Sequence, residues 1–185
     1  MPIYSPKSSG GPEDIVRYGK QFLTAEQKAQ ALDNIGAGSG VPSSGPAIAW
    51  RIRQLVSNNA NACSIAELQF RGVLGGPTLC VGGNAIASSM FLLSSGVFYP
   101  SFAFDGGASD WWNSDNLEPN PTLGYLFATP VDVVQVMLQA VSVGGVNAPR
   151  DFQIQKSYDG VRWITVSTVL NQTGWTGSEI RTYNF

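Results

Sequence analysis

From Ala47 onward, apolar and polar residues alternate with a period of two. That spacing belongs to strands with one buried and one wet face, and it restricts the chain to a sheet-based fold. Trp50 and Ile52, with Gln54 next, fall on one face, while Arg51, Arg53 and Leu55 fall on the other. Ser57-Asn58-Asn59-Ala60-Asn61 reads as a turn. In the strand after it, Leu68 and Phe70 point inward opposite Glu67 and Gln69. Residues 72–100 hold two Gly-Gly pairs and apolar patches without clean alternation, so loops with short strands are expected there. Pro119 and Pro121 mark a turn before Gly124-Tyr125-Leu126-Phe127. Asp132 to Ala140 carries apolar residues on both faces, as a central strand covered on both sides would. Phe152 and Ile154 alternate with Gln153 and Gln155, and Tyr158-Asp159-Gly160 then turns a hairpin into Arg162-Trp163-Ile164-Thr165-Val166. Glu179 to Phe185 alternates to the last residue, which predicts a C-terminus held in the sheet. Only 13% of residues are charged, against 21 Gly and 11 Pro, a composition that favours strands and turns over long surface helices. The fold class is all-β.

The first part of the chain is built differently. Residues 1–20 are rich in Ser, Gly and Pro without either period, and read as an extended arm that orders on a partner. A short α-helix follows at about residues 24–35: Thr24 is a good N-cap, Gln27 completes a capping box, and Gly36 supplies the left-handed stop. Ala25, Ala29, Leu32 and Ile35 form one stripe on it. So short a helix is marginal alone in water, so the stripe must bury against the chain's own sheets or against copies of itself. Gly38 to Pro46 is a Gly/Ser/Pro linker. The expected domains are therefore an attachment segment, 1–45, and a sheet domain, 46–185.

Composition excludes several function classes. A formal charge of −2, with no basic run, argues against nucleic acid as partner. No apolar run is long enough to span a membrane as a helix. The first residues, Met1 to Lys7, lack an apolar leader core, so synthesis in a cytoplasm is expected. The chain has no histidine, which removes the commonest general base and the commonest zinc ligand. No Gly-x-Ser-x-Gly motif occurs, and enzymatic activity is not expected. Asp105, Asp110, Asp115 and Glu118 are read as a metal or solvated loop rather than a glycosidase pair. Cys63 and Cys80 either pair, closing a loop worth ~3 kcal/mol, or stay as two buried thiols, the choice a cytoplasmic origin favours.

One stretch stands out. Ser101 to Trp112 places four large aromatics, two Asp and a Gly-Gly pair within twelve residues. Asp105 and Asp110 offer hard oxygens, and Trp112 an indole to bury beneath the loop. The order Ala-Phe-Asp-Gly-Gly-x-Ser-Asp-Trp-Trp over 103–112 resembles the motif of discoidin-type, galactose-binding-like β-sandwich domains, with flanking segments in the same order across about 46–185. The resemblance implies a jelly-roll β-sandwich that binds ligands and performs no chemistry. It also implies a structural Ca2+ held by Asp105, the Gly107 carbonyl, Asp110 and the closing Glu179, although Gly107 and Asp110 stand where that family has Asn and Thr. The extra charge of Asp110 equally allows a loop pinned by an Arg. A glycan would need aromatics in loops, and Trp111, Trp175, Tyr99 and Phe98 are the candidates, with end-plugging or contact with another subunit as the alternative. Trp50, Trp112 and Trp163 are assigned to the core.

Residues 23–37, starting at Leu23, resemble a Leu-Thr-Ala-x-Gln-Lys-Ala-x-Ala-x-x-Asn-Ile-Gly-Ala element recurrent in bacteriophage tail-fibre and related virion proteins. That likeness implies a virion component, attached to other virion proteins through its N-terminal arm and oligomeric, with a trimer favoured. It would display the sandwich toward a host surface glycan. A capsid, collar or tail decoration protein without a ligand, or a free carbohydrate-binding module, are the alternatives. The expected outcome in light scattering is a trimer for the full chain and a monomer for a chain starting at Ala47. A monomer in both cases would remove assembly from the helix.

Overall fold

In the computed structural model of the chain, residues 45–58, 62–94, 96–143 and 145–185 are described. The chain divides into two units, Met1–Ser43 and Ser44–Phe185, and every described residue lies in the second. The arm, the helix at 24–35 with Leu23, Ala25, Ala29, Leu32 and Ile35, and the linker before Gly45 lie outside the described residues, as do Asn59, Ala60 and Asn61 of the expected turn.

Among the described residues the strands are, in order, β1 (Ala47–Ser57), β2 (Ser64–Ile65), β3 (Glu67–Arg71), β4 (Asn84–Ala87), β5 (Leu92–Leu93), β6 (Gly96–Val97), β7 (Trp112–Asn113), β8 (Thr122–Val131), β9 (Gln135–Gln139), β10 (Pro149–Ser157), β11 (Ile164–Val169) and β12 (Ile180–Asn184). They form a five-stranded sheet in the order β11-β10-β1-β8-β4, a three-stranded sheet β12-β9-β3, and two small pairs, β2-β7 and β5-β6. Every pairing is antiparallel.

β1 sits in the middle of the larger sheet, and its register explains the core. Ile52 faces Ile154 on one side and Leu123 on the other, while Trp50 lies between Lys156 and Tyr125. These rows share the inner face and meet Leu68, Phe70, Val136 and Leu138 of the smaller sheet in one buried cluster. Aromatic pairs bridge the two sheets: Phe70 and Phe127 have ring centroids 6.3 Å apart, Phe152 and Tyr183 5.1 Å, and Trp50 and Phe185 5.8 Å. The result is an all-β arrangement of two open sheets over a common core. The two edge-to-face pairs, Phe70–Phe127 and Phe152–Tyr183, add about 0.5–1.5 kcal/mol each beyond their buried area.

Alternation along β1 is as expected, with Trp50, Ile52 and Gln54 buried and Arg51, Arg53 and Leu55 half-buried. β9 is the central strand of its sheet and is buried on both faces from Gln135 to Leu138, although it begins at Gln135 rather than Asp132. The hairpin between β10 and β11 forms as expected, its turn held by Asp159, whose Oδ1 accepts from the Val161 and Arg162 amides at 2.8 Å. The chain end is held in place by the Phe185 amide donating to the Val134 carbonyl at 3.2 Å. Cys63 and Cys80 are free and buried, and burial pushes both thiols up.

Three expectations need correction. Alternation puts Glu67 on the wet face of β3, but it is only 3% exposed, because the loop beginning at Asp105 folds back against it. The 101–112 stretch is not all loop, since Pro100–Phe104 forms a 3-10 helix with Pro in its first turn. Trp163 is half-buried outside the main core cluster, its ring covered by the Arg51 guanidinium at 3.9 Å.

β8 lies so close to β1 that Gly124 has no room for a side chain. A Cβ there would stand 2.4 Å from the Trp50 carbonyl oxygen and 2.5 Å from Arg51 Cβ. Gly124→Ala is expected to cost about 1–3 kcal/mol, since inserting atoms into a filled interior forces backbone shifts. The check is a lower urea midpoint at unchanged slope.

Candidate functional site

Two of the four aromatics expected in a binding loop, Phe98 and Trp111, come together, and Tyr99 follows Phe98 in the chain. β5 and β6 form a small hairpin outside both main sheets. Its base is tied down by the Phe91 amide, which donates to the Asn113 carbonyl at 2.8 Å, and by the Phe98 amide, which donates to the Phe91 carbonyl at 3.2 Å. Phe91 and Phe98 ring centroids are 6.1 Å apart, and Trp111 continues the stack 5.3 Å from Phe98. Tyr99 stands perpendicular to Phe102 at 5.5 Å and is 46% exposed. Leu92 and Leu93 extend the apolar ridge, at 62% and 47% exposure.

Ser89 anchors this ridge. Its carbonyl accepts from Trp112 Nε1 at 2.9 Å, and its hydroxyl accepts from the Asp115 amide at 2.8 Å and bonds the Glu118 carboxylate. Trp112 is fully buried and paired with Ile65 across β2 and β7, as its core assignment requires. Ser89 closes the Ala85–Ser89 segment that flanks the discoidin-type motif, and neither it nor Met90 to Leu93 is a site residue by sequence. The clue is there nonetheless: residues 72–104 contain no charged side chain, so whatever part of that run reaches the surface is apolar or neutral.

The fourth aromatic, Trp175, is elsewhere and is not available as a platform. It is 8% exposed, belongs to the core cluster, and has the Arg181 guanidinium 4.0 Å over its ring. Gly145 fits against it, since a Cβ there would lie 2.1 Å from Trp175 Cβ.

The expected calcium ligands are not gathered into a cage. Glu179 uses Oε1 to accept from Arg181 Nε at 2.6 Å and Oε2 to accept from the Thr176 amide at 2.8 Å. Asp105 Oδ1 accepts from the Gly107 amide at 2.8 Å, so the glycine turn offers the acid an N–H. Asp110 is exposed. Among the described residues no group of three or more His, Cys, Asp or Glu side chains lies together as metal ligands would. As arranged, Asp105, Gly107, Asp110 and Glu179 do not fit the ion, whose six to eight oxygens must converge.

The acid that does meet the loop is Glu67. It accepts from Gln69 Nε2 at 3.1 Å and from the Gly106 amide at 3.3 Å. Burial nevertheless lifts its carboxyl to about 7, with Asp105 adding to the rise and the two hydrogen bonds opposing it. No family model, curated protein or solved structure matches the chain.

The lifted carboxyl has a stability consequence. The folded chain binds this proton more tightly than the unfolded chain, whose Glu titrates near 4.5. The stabilisation is therefore complete below that value, declines as pH rises toward about 7, and is gone above it. Glu67→Gln, which stays neutral, is expected to gain stability relative to the parent chain across that interval. Urea midpoints of both proteins at about pH 4, 6 and 8 test it, and a constant difference between them would show that Glu67 titrates normally.

Proposed function

We propose that this chain is a non-enzymatic structural protein of a bacteriophage particle. In this reading residues 1–45 attach it, as a trimer, to other virion proteins, and the C-terminal domain is a discoidin-like jelly roll presented to a host surface glycan. The attachment half rests on the likeness of residues 23–37 to the virion element, and the jelly-roll half on the 103–112 motif. The ligand half rests on one observation: Phe98 and Trp111 stack at 5.3 Å beside exposed Tyr99, on a ridge outside the main sheets. Such faces suit the C–H surface of a sugar ring, with affinity concentrated in a few large side chains. The absence of histidine from the whole chain supports a binding role over hydrolytic chemistry.

A second reading has its own support. Leu92 and Leu93 are exposed on the same ridge, and aliphatic side chains suit a protein neighbour better than a sugar. On that reading the domain decorates the tail, collar or capsid without a ligand.

Trp111→Ala and Tyr99→Ala separate the two. If the ridge holds a glycan, binding of the full chain to purified host surface polysaccharide falls by roughly tenfold in each variant, the scale of a central aromatic contact. If it faces a protein neighbour, polysaccharide binding is absent or unchanged, while Leu92→Ser lowers incorporation into particles.

A further inference from the structure

A second surface stands apart from the aromatic ridge. Arg51 and Arg53 are two residues apart on β1 and so project from the same outer face of the five-stranded sheet, away from the core. The register sets Gln155 beside Arg51 and Gln153 beside Arg53 on β10. Arg51 Nε donates to Gln155 Oε1 at 2.8 Å, and Gln155 Nε2 donates to Gln153 Oε1 at 3.0 Å and to Thr165 Oγ1 at 3.2 Å. Both glutamine oxygens are thereby used within the face.

What remains is a set of donors. The terminal nitrogens of Arg51, the guanidinium of Arg53 and the Gln153 amide nitrogen have no hydrogen-bond partner among the described residues. Neither arginine has an ion-pair partner there either, since the described ion pairs are Arg150–Asp151 and Arg181–Glu179. Stacking of the Arg51 guanidinium 3.9 Å over Trp163 orients its fork. Burial, and then the neighbouring Arg53 charge, lower Arg51 to about 10, as expected of two cations held side by side without a counter-charge.

We propose that this face binds the carboxylate of an acidic saccharide, with Arg51 and Arg53 as charged donors and Gln153 as a neutral one. Guanidinium forks match a carboxylate in a planar, two-point geometry. The exposed Thr165 hydroxyl beside them suits a sugar hydroxyl, and Trp163 serves to hold the Arg51 fork in place. Two cations on a chain of net charge −2 are too few to hold a polyphosphate backbone against salt. The site is independent of the ridge at Trp111.

The test titrates the full-length protein with short oligomers of galacturonate, glucuronate and N-acetylneuraminate, and with neutral galactotriose, by calorimetry. The Arg side-chain Nε–Hε resonances are followed in parallel. The expected result is that at least one acidic oligomer binds, moves the Arg51 and Arg53 resonances, and binds at least about tenfold more tightly than galactotriose. Arg53→Gln, which removes a side chain with no described partner, is expected to weaken binding at least about tenfold, the scale of a charge-assisted hydrogen bond. The proposal is overturned if none of the three acids binds, if the neutral trimer binds equally, or if Arg53→Gln has no effect. Acetate that displaces the oligomer at equal carboxylate concentration overturns the saccharide assignment.

Discussion

Everything in the sheet domain is arranged about the packing of β1 between β10 and β8. Its inner side chains sit in apolar cross-strand rows, Ile154–Ile52–Leu123 being the clearest. Its backbone is approached so closely by β8 that only glycine fits at position 124. Trp50 adds a directional tie, its Nε1 donating to the Val131 carbonyl at 3.2 Å. Burying such rows supplies the main driving force, at about 25 cal/mol per Å² of apolar surface. The same alternation that fills the core with Trp50 and Ile52 obliges Arg51 and Arg53 onto the opposite face.

The second sheet is held to the first by aromatic side chains contributed late in the sequence. Phe127, Phe152, Tyr183 and Phe185 each meet a ring across the interface or its edge. The loop region between β3 and β8 then hangs on two points, Trp112 buried in the core and the half-buried Ser89 at the ridge. The β5-β6 hairpin is rigidly based yet projects apolar side chains, which is how a stable scaffold presents a binding surface without unfolding to do so.

Much of this was legible as pattern. The strand at 47–57, the two-faced burial of β9, the Asp159-Gly160 hairpin and the C-terminal strand follow from period and turn chemistry, which act over a few residues. The burial of individual large side chains was not legible. Trp163 lies half-buried under Arg51 and outside the core cluster, whereas Trp175 joins that cluster with Arg181 over its ring. Glu67 looked wet by alternation, and only the return of the 105–107 loop across β3 made it a buried acid. The meeting of Phe98 with Trp111 likewise depends on how the hairpin docks on β7, a contact between segments that no local spacing encodes.

By itself the sequence determined an all-β domain starting near Ala47, the inward and outward faces of its main strands, and the chemistry available to it, without histidine and with few charges. Tertiary structure alone decided which aromatics reach the surface, that Asp105, Asp110 and Glu179 do not converge, and that the glutamine oxygens beside Arg51 and Arg53 are already used. The division has a physical cause. Periodicity and turn preferences are set by the backbone geometry of neighbouring residues, whereas exposure, pKa and convergence of donors depend on which distant strand lies alongside.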